Sequence, residues 1–187
     1  GYAMAERLLK AGADLSAWNR TKSKAEPLAE LGATIVDSPA ELADRDIIFT
    51  MVGGPADFIE VTKGENGVLA QDGQVPGLLI DCTSISEEAS HEVREFATSV
   101  GTSMLDAPVS GNAKVVKAGK LSIVASGAQD AYDEALPYLE AIAVGVSYVG
   151  EGELARMVKI CHNVFLGVVI QSLAEITVLA EKGGVPR

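Results

Sequence analysis

Five short apolar runs recur along this 187-residue chain, at 46–52, 78–82, 103–106, 121–125 and 146–149, each bounded by turn residues. Runs of that length, apolar on consecutive positions, predict strands covered on both faces. Stretches with helical spacing separate most of them, and this alternation predicts an α/β fold with a doubly wound parallel sheet. The pattern extends upstream. Ala5, Leu8, Leu9 and Gly12 follow helical spacing, 14–18 and 34–36 read as short strands, and 22–31 reads as a helix. Ser38-Pro39-Ala40-Glu41 carries a helix start with a capping box. Helices are also expected from Ala56, from Ser86 with Glu87 and Glu88 in the first turn, and over 130–142.

After Gly150-Glu151-Gly152 nothing breaks a helix until Gly183-Gly184, a span of about 45 Å. So long a helix with few polar positions predicts a spine buried between two bodies. The expected division is a nucleotide-binding domain over 1–151 and the start of a helical domain over 152–187. Nothing after the spine could pack on it, so downstream sequence or a second subunit is expected there.

Composition narrows the partners. The net charge of −11 argues against nucleic acid or an anionic membrane surface. The apolar region 158–179 is interrupted by Lys159, His162, Asn163, Gln171 and Glu175, which predicts no membrane span. Two cysteines, Cys82 and Cys161, fit a reducing, cytoplasmic setting without a disulfide framework. Together with His91 and His162 they lack zinc-ligand spacing, so no metal is expected. Within this acidic chain, eight of the fifteen basic residues fall in three windows: Arg20, Lys22 and Lys24; Lys114, Lys117 and Lys120; Arg156 and Lys159. Solvated faces explain any one such window; three together suggest anionic ligands.

A doubly wound nucleotide fold places its ribose-reading residue about twenty positions past the glycine turn, at the end of the second strand. Here that place holds Asn19-Arg20-Thr21, with no carboxylate. An acid there would accept hydrogen bonds from the 2′-hydroxyl of NAD, whereas Arg forks onto a 2′-phosphate. NADP is therefore the expected cofactor, with NAD second; a solvated turn is the alternative.

Asp106-Ala107-Pro108-Val109-Ser110-Gly111-Asn112 follows a strand and offers N–H groups, a hydroxyl and an amide to a carboxylate, or else is a plain bend. Lys159 and Asn163 lie four apart on one face of the long helix. Apolar neighbours Met157, Val158, Ile160 and Cys161 would desolvate the Lys159 amine, lower its pKa and suit it to acid/base work. A helical Lys is otherwise a surface residue. His162 is the rival proton carrier, but it projects about 100° away.

Together these residues resemble the β-hydroxyacid dehydrogenase family, which includes 3-hydroxyisobutyrate dehydrogenases and the tartronate and glyoxylate/succinic semialdehyde reductases. Gly1-Tyr2-Ala3-Met4-Ala5 resembles the tail of the family's glycine-rich opening, Asp106 to Gly111 its substrate loop, and Gly150-x-Gly152 with Lys159-x-x-x-Asn163 its catalytic helix. The resemblance implies Lys159 as acid/base, and Ser110, Gly111, Asn112 and Asn163 as substrate-binding residues. It also implies Gly1, Met4, Asn19, Arg20, Thr21, Val52, Gly53 and Ser84 around the cofactor. The implied substrate is a small anionic hydroxy acid or semialdehyde. Asn112 replaces a usual Gly, which would narrow the carboxylate site, and Gly53 a usual Pro, which would loosen the cofactor loop. By the same resemblance, the first strand, most of the glycine turn and a C-terminal helical domain that completes a homo-oligomer lie outside this sequence. Two alternatives remain: a non-catalytic nucleotide-binding module, and an imine reductase on the same scaffold.

Overall fold

The computed structural model describes residues 1–71 and 73–186; Arg187, the last position of the expected second domain, lies outside the described residues. Among the described residues eight strands and six α-helices follow in order. Helix α1 (Tyr2–Lys10) leads to β1 (Ser16–Ala17) and β2 (Thr34–Ile35), a parallel pair. Then come β3 (Ile47–Thr50), α2 (Pro55–Lys63), β4 (Leu78–Asp81), α3 (Glu87–Ser99) and β5 (Ser103–Asp106). The sheet order is β3-β4-β5, all parallel, as expected where helices make the crossovers. Strand β6 (Val109–Ser110) and helix α4 (Ala113–Lys117) precede β7 (Ser122–Ala125). Strand β7 pairs antiparallel with β6 and parallel with β8 (Gly145–Tyr148), across α5 (Gln129–Ile142). An antiparallel bridge between Asp106 and Ser126 joins the end of β5 to that of β7.

Strand β4 shows why the sheet is doubly wound. Leu78, Leu79 and Ile80 are all 0% exposed. Leu78 and Ile80 pack into a cluster with Leu8 of α1 and Leu139 and Ile142 of α5. Leu79 points the other way, into Phe58 of α2 with Val93 and Ala97 of α3. The period-two alternation of a strand thus serves two apolar layers at once.

Several expectations change in detail. Residues 22–31 form two 3₁₀ turns, Lys22–Lys24 and Glu26–Leu31, instead of one α-helix. Pro27 lacks an N–H and disfavours α geometry at the residue before it. The capping box at Ser38 forms, with Glu41 Oε1 accepting from the Ser38 N–H at 2.8 Å, but it starts only a 3₁₀ turn, Pro39–Leu42. The expected bend after Pro108 contains β6.

Helix α6 (Leu154–Lys182) runs unbroken for 29 residues, as expected. Only Ala155 and Arg156 on it are buried, so the spine expected between two bodies stands uncovered in this chain. By length and composition it is long and apolar enough to cross a membrane, contrary to the sequence reading. The reason is placement: Lys159, His162 and Asn163 crowd into its first turns, and from Val164 to Leu179 the sole charge is Glu175.

No strand joins β1 to β3 among the described residues. A cleft of about 1150 Å³ runs between them, with Leu15, Ala17, Ile47 and Phe49 among its apolar walls.

Candidate active site

Thr50, Asp81 and Asp106 are the last residues of β3, β4 and β5, and the parallel register sets them side by side. The carboxyl edge of a parallel sheet is where such folds bind ligands. The Thr50 hydroxyl donates to Asp81 Oδ1 at 2.6 Å, and the Thr83 N–H to the same oxygen at 3.0 Å. The Ser90 hydroxyl donates to Asp106 Oδ1 at 2.9 Å. Both carboxylates are fully buried and need a cation.

Helix α6 supplies it. Arg156, 1% exposed, places Nη2 2.5 Å from Asp81 Oδ2 and 2.8 Å from Asp106 Oδ1. Its Nη1 donates to the Thr83 carbonyl and its Nε to Ser90 Oγ at 3.3 Å. Arg94 flanks the pair, with Nη2 3.0 Å from Asp106 Oδ2 but off the hydrogen-bonding direction, and Nε 2.7 Å from Glu153. Burial still pushes the Asp106 carboxyl up from 3.8, against the pull of Arg156 and Arg94. Sequence reading grouped Arg156 with Lys159 as an anion-attracting window; the structure corrects this, because two internal carboxylates neutralise Arg156. The available signal was an Asp at or next to the end of two consecutive apolar runs, each of which would bury it.

One turn further along α6, Lys159 Nζ lies 3.3 Å from Ser110 Oγ on β6. Burial lowers its ammonium pKa from 10.5, the direction expected from its apolar neighbours. Ser84, Ile85, Pro108, Arg156, Lys159, Ile160 and Asn163 line a cleft of about 200 Å³ here. Ser110, Ser84, Lys159 and Asn163 are thus brought together from three separate parts of the chain. His162 is exposed on the helix.

Gly111 and Asn112 shape the loop beyond Ser110. Gly111 has φ +141°, and a Cβ there would meet Val115 Cγ1 at 2.7 Å, so the step from β6 into α4 requires glycine. Asn112 caps α4, its Oδ1 accepting from the N–H groups of Lys114 at 3.0 Å and Val115 at 3.2 Å. Its oxygen is committed to the helix, which leaves the amide NH₂ for any ligand.

Seven of the eight expected cofactor residues line the larger cleft: Gly1, Met4, Asn19, Arg20, Thr21, Val52 and Gly53. Ser84 lies instead on the Lys159 cleft. The Val52 N–H donates to Thr83 Oγ1 at 3.2 Å, tying the rim of one cleft to the turn that carries Ser84. Asn19 Nδ2 donates to the Thr21 carbonyl at 2.8 Å and shapes the turn after β1. The Arg20 side chain is 77% exposed and pairs with Asp57 Oδ1 at 2.9 Å. A Cβ at Gly53 would stand 2.6 Å from Asp57 Oδ2, so glycine leaves room for that carboxylate.

These donors fit a dinucleotide: an accessible guanidinium at the rim, and an α1 N-terminus whose cap, Gly1, adds no side chain over its free N–H groups. Burial pushes the Cys82 thiol up to about 12, which removes it as a nucleophile at neutral pH. Among the described residues no three His, Cys, Asp or Glu side chains are grouped to hold a metal.

Residues 1–150 match the family described as the NAD binding domain of 6-phosphogluconate dehydrogenase. Glyoxylate/succinic semialdehyde reductase 2, chloroplastic, of Arabidopsis thaliana is 34% identical over 185 residues, covering 98% of this chain and 51% of that protein. The solved 3-hydroxyisobutyrate dehydrogenase of Mycobacterium tuberculosis with L-serine superposes with a TM-score of 0.88 at 31% identity, covering 98% of this chain and 62% of that one. An imine reductase from Myxococcus stipitatus in complex with NADP⁺ shares the fold, with a TM-score of 0.82 at 24% identity over 99% of this chain and 64% of that one. The chain thus spans between half and two thirds of the length of these relatives. With its Rossmann-type sheet, its long helix and the motifs around Ser110 and Lys159, the chain belongs to the β-hydroxyacid dehydrogenase family of NAD(P)-binding oxidoreductases.

Proposed function

We propose that the protein transfers a hydride between NADP(H) and a small β-hydroxy acid or the matching semialdehyde, with Lys159 as acid/base. The observation that carries this reading is the partly desolvated Lys159 amine, 3.3 Å from the Ser110 hydroxyl in a cleft shared with Ser84 and Asn163. The nicotinamide of the bound cofactor would supply or accept the hydride. In reduction, Lys159 Nζ donates a proton to the substrate carbonyl oxygen; in oxidation, it takes the hydroxyl proton. The Ser110 hydroxyl and the Asn163 amide orient the substrate oxygens. Ser110 with the backbone of Gly111 and the Asn112 NH₂ receives the substrate carboxylate. Arg20, with Asn19 and Thr21, takes the 2′-phosphate of NADP, and NAD binds more weakly for want of that contact.

The nucleotide-binding domain, 1–151, and the start of the helical domain, 152–187, meet at Gly150 and Gly152. The apolar face of α6 is covered by protein, in a homo-oligomer, and not by lipid. In support, Glu175, hydrogen-bonded to Gln171 at 2.6 Å, would cost several kcal/mol at mid-bilayer. A cytoplasmic location and the absence of nucleic-acid partners belong to the same reading.

A non-catalytic module would have no use for an amine partly shielded from solvent beside a hydroxyl. The imine reductase reading draws on the shared fold, but β-hydroxyacid chemistry accounts for a lysine at position 159 directly. The deciding experiment assays the intact protein with NADPH against succinic semialdehyde, glyoxylate and a cyclic imine. Aldehyde reduction is the expected outcome, and turnover of the imine alone would overturn the reading.

A further inference from the structure

Arg156 carries a role that neither the proposed chemistry nor the resemblance assigns. Four of the five N–H bonds that a guanidinium offers are already used, on Asp81, Asp106, Thr83 and Ser90. It therefore lines the Lys159 cleft with a single N–H, on Nη1, left over for a ligand. What those bonds do is mechanical. They fasten the first turn of α6 to the ends of β4 and β5 and to the start of α3. The backbone N–H of Arg156 donates to the Glu153 carbonyl, and Glu153 in turn meets Arg94. Ser126 adds a second tie, its hydroxyl donating to the Gly152 carbonyl and accepting from the Ala155 N–H. Beyond this turn, α6 is exposed along most of its length.

We propose that Arg156 is the positioning residue of this site: its clamp on Asp81 and Asp106 sets the rotation and depth of α6, and so holds Lys159 Nζ against Ser110. The inference rests on the proposed acid/base role of Lys159. The two side chains lie three positions apart, about 300° of helical rotation, so both share one side of the helix. A guanidinium is suited to the clamp because Nη2 alone bridges the two carboxylates while Nη1 and Nε reach the Thr83 carbonyl and Ser90, a spread of donors over three nitrogens that an ammonium cannot reproduce. The charged groups around Lys159 are few. Arg156 lies on its own helix, Asp81 and Asp106 at the ends of β4 and β5 are engaged by Arg156, and β6 presents the neutral Ser110.

The test uses the intact protein, with Arg156→Lys as the first variant. It keeps the charge and loses the fork. Asp81→Asn with Arg156→Gln removes one charge of each sign and serves if the single variant fails to fold. Lys159 is followed by its ¹³Cε resonance over a pH titration, assigned by Lys159→Arg, while kcat and KM are measured with NADPH and the best aldehyde of the panel. In either variant the Lys159 pKa is expected to move back toward 10.5. In addition, kcat is expected to fall on the order of 10–100-fold, with the NADPH dissociation constant unchanged. An unmoved Lys159 titration in a folded variant would overturn the proposal, as would equal losses in kcat and NADPH binding. The resonance is read without turnover, so failure of the clamp and failure of the proposed reaction are distinguishable.

Discussion

The Lys159 amine on α6 and the Ser110 hydroxyl on β6 stand 3.3 Å apart although 49 positions separate them in the chain. Two different constraints produce that meeting. Gly111, in a backbone conformation closed to other residues, turns the chain sharply after Ser110. Arg156, locked between two buried carboxylates, fixes the helix that bears Lys159.

Replacing Lys159 with Ala removes the proton carrier and leaves the larger cleft untouched. The kcat is expected to fall about 10²–10⁴-fold, the usual range for a general acid or base. NADPH affinity, measured by fluorescence titration, is expected to stay as in the unmodified protein. Weakened binding with preserved turnover would remove Lys159 from this role.

The direction of the Lys159 shift fixes a pH dependence. A protonated amine is needed to reduce and a neutral one to oxidise, so the reductive rate falls and the oxidative rate rises as pH passes the lowered pKa. The inflection belongs below 10.5. Linkage gives a matching sign for stability. The folded state favours the neutral amine, so burial of Lys159 opposes folding while the amine is charged; that penalty disappears as pH climbs from the folded pKa to the unfolded value. Profiles of kcat in both directions, together with melts across alkaline pH, check both signs.

At the cofactor end, Arg20→Ala is expected to raise KM for NADP far more than for NAD. Asp57 supplies the counter-test. Its carboxylate holds the Arg20 guanidinium at 2.9 Å and would repel a 2′-phosphate. Exposed pairs of this kind are worth about 0–1 kcal/mol, so Asp57→Asn should tighten NADP by up to about fivefold and leave NAD nearly unchanged. Calorimetric titration with each cofactor separates the outcomes; equal effects on both would exclude Arg20 from phosphate recognition.

Gly111→Ala is expected to cost about 1–3 kcal/mol of stability, because alanine is strained at positive φ and its Cβ would press on Val115. A shift of the urea midpoint with an unchanged slope is the expected signature.

Much of this architecture was legible in the residues. The apolar runs marked β3, β4, β5, β7 and β8, and the glycines at 150 and 152 marked the entry to α6. Serine 86 announced α3 and accepts from the Ala89 N–H at 3.4 Å as its cap. Legibility failed where tertiary context decides. Pro27 turned an expected helix into 3₁₀ turns, and β6 exists only because β7, distant in sequence, offers it a partner. At the site, Lys159, Asn163 and Ser110 were readable from spacing and motif. The burial of Arg156 was not, since a cation beside another cation on an amphipathic stretch reads as solvated. Only the convergence of Asp81 and Asp106, set by strand register, shows where that charge belongs.

The β1–β2 ladder is two residues long and at most half-buried, so it opens locally at a lower cost than the buried strands β4 and β5. The amides of Thr34 and Val36, which donate to Leu15 and Ala17 across that ladder, should exchange with deuterium long before those of Ile80 or Leu105. A dinucleotide spanning from Arg20 to Val52 would brace the turn after β1, so its binding would appear as slowed exchange at Thr34 and Val36 with the interior strands unaffected.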